Sequence, residues 1–157
     1  MLVIADSSAL VALAVCDGLH WLDARFDEIR VPVAVFTECT VVGKPKAEVL
    51  RRYLQDKIVP VDFCETLITP SGLGDGELEA MSLYQHLHAD YLLIDDRRAR
   101  KVAIFNKLNT IDSIGMLIWA KDEGHIPAIH PGLEAIRQAG IFLSDAVWQE
   151  ALLLVGE

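Results

Sequence analysis

Two short apolar runs, Leu2 to Ala5 and Tyr91 to Ile94, each stop on an aspartate, Asp6 and Asp95. Apolar runs of that length without alternation read as strands covered on both faces, the condition of a parallel sheet lying between helices. A sheet with one wet face would alternate polar and apolar residues instead. Ligands of open α/β sheets collect at the carboxyl ends of the strands, and both runs carry a carboxylate to that edge.

The intervening segments alternate helix and strand signals. A helix begins near Ser7 or Ser8, either of which can cap it, and a shorter amphipathic helix passes through Trp21, Leu22 and Phe26. Pro32 suits the first turn of a helix carrying Glu38, and Pro45 separates that helix from the next, Ala47 to Gln55. Ile58 to Phe63 reads as a strand, Gly72 to Gly76 as a loop, Glu77 to His88 as a helix, Tyr91 to Asp95 as a strand and Arg97 to Lys107 as a helix. A short strand near Leu108 to Ile111 precedes a helical carboxy-terminal part from about residue 113. The expected fold class is α/β, three layers with a small central parallel sheet flanked by helices, as a single domain over residues 1–157. With 52% hydrophobic residues, such a chain has room for a full core.

Further acids fall on apolar faces. Glu38 shares helical rows with Ala34 and Val35 before it and Val41 and Val42 after it, and Glu79 shares a row with Leu83 and Leu87. Glu79 also follows a glycine-rich stretch, where a helix amino terminus favours negative charge. A carboxylate removed from water without a partner neutralises or pairs. Asp6, Glu38, Glu79 and the Asp95-Asp96 pair therefore point to a hard divalent cation such as Mg2+, which takes oxygen ligands.

Other signals exclude function classes. Cys16, Cys39 and Cys64 are odd in number, widely spaced and without a C-x-x-C pair, so they make neither a disulfide framework nor a zinc site and read as reduced core residues. His86 and His88 are two apart on a helix and cannot share a face. Gly72, Gly74 and Gly76 match neither a dinucleotide fingerprint nor a P-loop. No apolar stretch reaches the ~18 residues of a membrane span, and the amino terminus has no signal-peptide pattern, so a cytoplasmic location is expected. Trp148, Leu152 and Leu153 suit helical core or a homodimer contact. The net charge of -9 opposes phosphate binding by the molecule as a whole. Basic residues are nevertheless clustered, with Arg97, Arg98, Arg100 and Lys101 after Asp96, and Lys44, Lys46, Arg51, Arg52 and Lys57 after Glu38.

Three stretches resemble the PIN domain family: Asp6-Ser7-Ser8 with Leu10 after an apolar strand, Val31-Pro32 leading to Glu38, and Leu73-Gly74-Asp75-Gly76-Glu77-Leu78-Glu79-Ala80 running to Leu92-Leu93-Ile94-Asp95-Asp96-Arg97-Arg98-Ala99-Arg100. Ile114-Gly115 through Gly124-His125-Ile126-Pro127, and Gly140 to Ser144-Asp145, are similar to a prokaryotic branch with an extended helical carboxyl terminus. The resemblance implies an acidic pocket of Asp6, Glu38, Glu79 and Asp96, with Ser7 or Ser8 as a hydroxyl neighbour. Two departures stand out. The third acid, commonly Asp, is Glu79 here, and Glu77 is a further contributor. Ile94 replaces a threonine at the end of the fourth strand, so that Asp95 and Asp96 compete for the fourth position, with Asp96 preferred.

The implied activity is metal-dependent phosphodiester hydrolysis, as an endoribonuclease on single-stranded RNA, with Mg2+ or Mn2+ as cofactor and Ser7, Arg97, Arg98 and Arg100 toward the substrate. Such a nuclease would suit the toxin of a toxin-antitoxin pair, with a small antitoxin protein as partner. The alternative is a PIN-like module that binds RNA or protein with weak or no cleavage.

Overall fold

The computed structural model describes residues 1–61 and 72–157. Its sheet has five strands: β1 (Leu2–Ala5), β2 (Glu28–Pro32), β3 (Ile58–Val59), β4 (Tyr91–Leu93) and β5 (Thr110–Ile111). They lie in the order β3-β2-β1-β4-β5, and every pairing is parallel. The chain builds outward from β1 through β2 to β3, then crosses back to place β4 on the other side of β1. That reversal is a topological switch point between β1 and β4, the place at the carboxyl ends of the strands where open α/β sheets bind their ligands.

Register brings the acids to this edge. Val3, Ile4 and Ala5 pair with Tyr91, Leu92 and Leu93, and the Asp6 N–H continues the ladder to the Leu93 carbonyl at 2.9 Å. Leu92 and Leu93 pair in turn with Thr110 and Ile111. Val3, Ile4, Ala5, Leu92, Leu93 and Ile94 are all fully buried, as uninterrupted apolar runs require.

Helices cover the sheet in a three-layer α/β/α arrangement. α1 (Ser7–Val15) is apolar on nearly every side and packs among α2 (Leu19–Arg25), α3 (Val33–Cys39), α4 (Ala47–Leu54), α7 (Ser113–Asp122) and α8 (His130–Gln138). A helix that is apolar all round must be enclosed. Its Leu10 and Leu13 are fully buried, each stabilising the fold by about 2–3 kcal/mol relative to exposure. α5 (Asp75–Leu87) lies against β1, β2, β4 and α3. α6 (Arg97–Phe105) follows β4, and α9 (Asp145–Leu154) ends the helical carboxyl part, with Trp148 buried, Leu152 partly buried and Leu153 81% exposed.

Several expected boundaries move. β2 is a strand where only a helix start at Pro32 was expected. Glu28 and Arg30 pair with each other while Ile29 and Val31 are buried, a two-residue period too short to stand out from the flanking helix signals. α3 stops at Cys39, so Val41 and Val42 are not on the Glu38 face; they are 47% and 92% exposed. α5 starts at Asp75, two residues before the expected Glu77, with Gly74 as its N-cap. Of the strand expected over Ile58 to Phe63, Ile58 and Val59 form β3, and Asp62 and Phe63 lie outside the described residues, as does Cys64. Cys39 is buried and Cys16 half-buried, both as free thiols. No helix among the described residues is long and apolar enough to cross a membrane.

Candidate functional site

Each acid at the carboxyl edge is placed by the element before or after it. Asp6 occupies the junction where β1 runs directly into α1 and is 1% exposed. Its Oδ2 accepts a hydrogen bond from Ser8 Oγ at 2.9 Å, whereas its Oδ1 is buried and has no hydrogen-bond partner. Burial raises the Asp6 pKa above the ordinary carboxylate range, and the nearby Glu38 charge adds to the shift, against the hydrogen bonds from Ser8 and the Ser7 backbone.

Glu38, in the last turn of α3, accepts from Ser7 Oγ at 2.8 Å. Its carboxylate lies on the first turn of α5, so close to Gly76 that a Cβ there would meet Glu38 Oε1 at 2.7 Å and Oε2 at 2.8 Å. Only a residue without a side chain permits this approach. Glu77, the next residue, accepts from the Gly74 N–H at 2.8 Å. Its pKa is raised by burial first and then by the charges of Asp6, Asp96 and Glu38, with the Gly74 bond opposing. The mutual repulsion of these groups marks Asp6, Glu38, Glu77 and Asp96 as one electrostatic cluster. Amino termini of α1, α5 and α6 sit beside it, and their partial positive charge favours acids there.

The two acids after β4 separate. Asp96 is exposed and caps α6, its Oδ1 accepting from the Ala99 N–H at 2.8 Å. Asp95 accepts from Ser113 N and Ser113 Oγ, both at 2.7 Å, and so ties the end of β4 to the first residue of α7. Burial raises its pKa, opposed by those two bonds. Glu79 is held at the amino end of α3, where its Oε2 accepts the Ala34 N–H at 3.2 Å. Glu77 is thus an acid of α5 that shares the cluster's charge, and the helix start is the signal for it: beginning at Asp75 puts Glu77 in the first turn and Glu79 in the second.

The arginines differ as well. Arg100 forms an ion pair with Asp112, which also caps α7 by accepting from Gly115 N at 2.7 Å. The Arg98 guanidinium lies over Gly72, where a Cβ would meet Nη1 at 2.9 Å, and Arg97 is exposed. In the second basic cluster, Arg51 donates to the Thr40 carbonyl at 2.7 Å, Arg52 and Arg51 pair with Glu48, Lys46 with Asp17 and Lys57 with Asp56. Cys39, beside the acids, is a buried thiol whose pKa is pushed up to about 12 by burial and by Asp6 and Glu38, so it is no thiolate nucleophile at neutral pH.

The family model of the PIN domain matches residues 2–157. The chain belongs to the PIN domain family. None of the curated proteins compared with it matches. PIN domains have a nuclease-type fold, are generally nucleases that bind RNA, and typically use divalent metals.

The donor chemistry of this PIN domain fits such an ion. Asp6 Oδ1 is a buried anionic oxygen without a partner, and the neighbouring donors are carboxylates, which are hard ligands. Among the described residues no three His, Cys, Asp or Glu side chains stand as a ready ligand set.

Proposed function

We propose that this PIN domain hydrolyses phosphodiester bonds in single-stranded RNA as a divalent-metal-dependent endoribonuclease, with its site at Asp6, Glu38, Glu77 and Asp96. The observation that carries this reading is Asp6: a carboxylate 1% exposed, with one oxygen unpartnered, whose charge is opposed by Glu38 and Glu77. A fold gains nothing from such a group alone, because an unpaired buried charge costs several kcal/mol. A cation offsets that cost.

Asp6 would hold the ion through Oδ1, with Glu38 and Glu77 contributing directly or through water, and Asp96 at the exposed rim. When bound, Mg2+ or Mn2+ supplies positive charge for the phosphoryl oxygens and makes water a stronger acid. The chain's own part is arrangement. Ser8 fixes Oδ2 of Asp6 and so leaves Oδ1 for the ion, while Ser7 does the same for one oxygen of Glu38. Glu77, whose pKa is raised by burial and by the neighbouring acids, is the carboxylate of the cluster placed to accept a proton. Arg97 and Arg98, in the first turn after Asp96, would contact substrate phosphates; Arg100, paired with Asp112, supports the α6–α7 junction instead.

The acidic charge of -9 favours a second reading, a PIN-like module that binds a partner without cleaving. Incubation of a mixed RNA pool with the protein in Mn2+ or in chelator separates the two. The nuclease reading expects Mn2+-dependent fragments; intact RNA in both conditions leaves the binding module.

A further inference from the structure

Two contacts made by α5 bear on how Glu38 reaches the cluster. Glu79 Oε2 accepts the Ala34 N–H from the first turn of α3. The first N–H groups of any helix have no partner within it, and the N-cap of α3 is Pro32, which has no side-chain oxygen to supply one. Glu79 therefore caps α3 from a neighbouring helix. One turn earlier on α5, Gly76 receives the Glu38 carboxylate at a distance that any Cβ would forbid.

α3 has 7 residues, too few to hold its own conformation. Its carboxyl end is tied by Arg51 donating to the Thr40 carbonyl at 2.7 Å, and its amino end by Glu79. Glu38 lies one turn beyond Ala34, between these two ties. Building on the metal site proposed above, we propose that Glu79 and Gly76 are positioning residues: they set α3 on α5 so that the Glu38 carboxylate faces Asp6 and Glu77, and Glu79 is not itself a metal ligand.

The test is Mn2+ binding by RNA-free protein, followed by the spin-resonance signal of free Mn2+, together with hydrogen exchange of the Ala34 amide. The variants are Glu79→Gln, Glu79→Ala and Gly76→Ala, with Asp6→Asn as the ligand-loss reference. A glutamine at 79 retains a carbonyl oxygen for Ala34, so Glu79→Gln should bind Mn2+ as wild type does and keep Ala34 protected. Glu79→Ala should expose Ala34 and weaken Mn2+ binding roughly tenfold, in the range of lost supporting contacts around a metal. Gly76→Ala should weaken binding by a similar factor while melting no lower than wild type, since alanine favours helix and the displaced atoms belong to the mobile end of Glu38. That combination is one a merely structural role would not produce.

Glu79→Gln binding as poorly as Asp6→Asn would overturn the inference, because Glu79 would then be a ligand. Wild-type affinity in both Glu79→Ala and Gly76→Ala would overturn it as well. Should Glu79→Ala not fold, Glu79→Gln and Gly76→Ala still decide. A wild type that takes up no Mn2+ removes the metal site and this inference together, and is distinguishable from failure of the inference alone, in which wild type binds and the variants bind equally well.

Discussion

Asp6 is a residue the fold tolerates rather than needs. With no cation, its charge is buried and set against Glu38 and Glu77, so Asp6→Asn should leave the metal-free protein at least as stable as wild type and up to roughly 4 °C higher in Tm. A Tm well below wild type in scanning calorimetry would show that the charge is not strained. The pH dependence has a definite sign. Asp6, Glu77 and Asp95 have folded pKa values raised above ordinary ones near 3.8, 4.5 and 3.8. The folded state then binds protons more tightly than the unfolded chain, so stability contributed by these groups falls as pH rises from about 4 through their raised values. Urea unfolding of metal-free protein over that window should show this fall, with a shallower slope in Asp6→Asn. Asp6 stood out in the sequence because it ends an apolar strand, and Glu38 because it shares helical rows with Ala34 and Val35, although Val41 and Val42 lie beyond the end of α3. Glu77 was secondary to Glu79 there because the choice turns on where a glycine-rich loop becomes helix: the start at Asp75, two residues earlier than expected, keeps Glu77 in the first turn and moves Glu79 into the second.

At the scale of elements, single polar contacts join segments that the sheet leaves separate. Asp95 satisfies both Ser113 N and Ser113 Oγ, and Ser113 is 3% exposed. Asp95→Ala should therefore cost about 2–4 kcal/mol by leaving buried donors unmet, yet retain Mn2+ binding; loss of binding at unchanged stability would reverse the assignment of the two neighbouring aspartates. Glu157 acts similarly for the carboxyl helices. Its carboxylate accepts from Lys121 Nζ at 2.8 Å and from the Ile129 and His130 N–H groups at 2.7 and 3.0 Å, across α7 and the start of α8. Against its own burial, these bonds hold its pKa down to about 2. The stability they give is present above pH 4.5 and is lost as pH falls toward 2, and Glu157→Gln should flatten that acid limb of the Tm profile. Neither tie was legible in the sequence, since Asp95 to Ser113 and Glu157 to Ile129 are pairings between distant segments. The apolar strands β1 and β4 and most helices were legible, because burial on both faces and helical spacing are local patterns. β2 was not, because its alternation spans only Glu28 to Val31.

For the whole molecule, the parallel sheet and its switch point follow from those apolar runs, whereas RNA recognition on the proposed reading must overcome a net charge of -9. Much of the basic surface is already engaged by the protein's own acids, as Arg51 and Arg52 are with Glu48 and Arg100 is with Asp112. On the proposed reading, RNA contact is expected at a local rim after Asp96, where Arg97 and Arg98 are both exposed. Replacing both by alanine should weaken RNA association across sequences and reduce the magnitude of the log K versus log salt slope by about 1.4, from two phosphate contacts to a single strand, measured in Ca2+ to hold cleavage down. An unchanged slope would place the RNA elsewhere on the surface. The joining of a buried acid to a cation is tested most directly by cleavage of one labelled single-stranded RNA by wild type and by Asp6→Asn, each in Mn2+ and in chelator. Wild type should cut only in Mn2+, and Asp6→Asn, folded, should be slower by at least about a hundredfold. Equal Mn2+-dependent cleavage by the two proteins would contradict the assignment of the acidic cluster as the catalytic site.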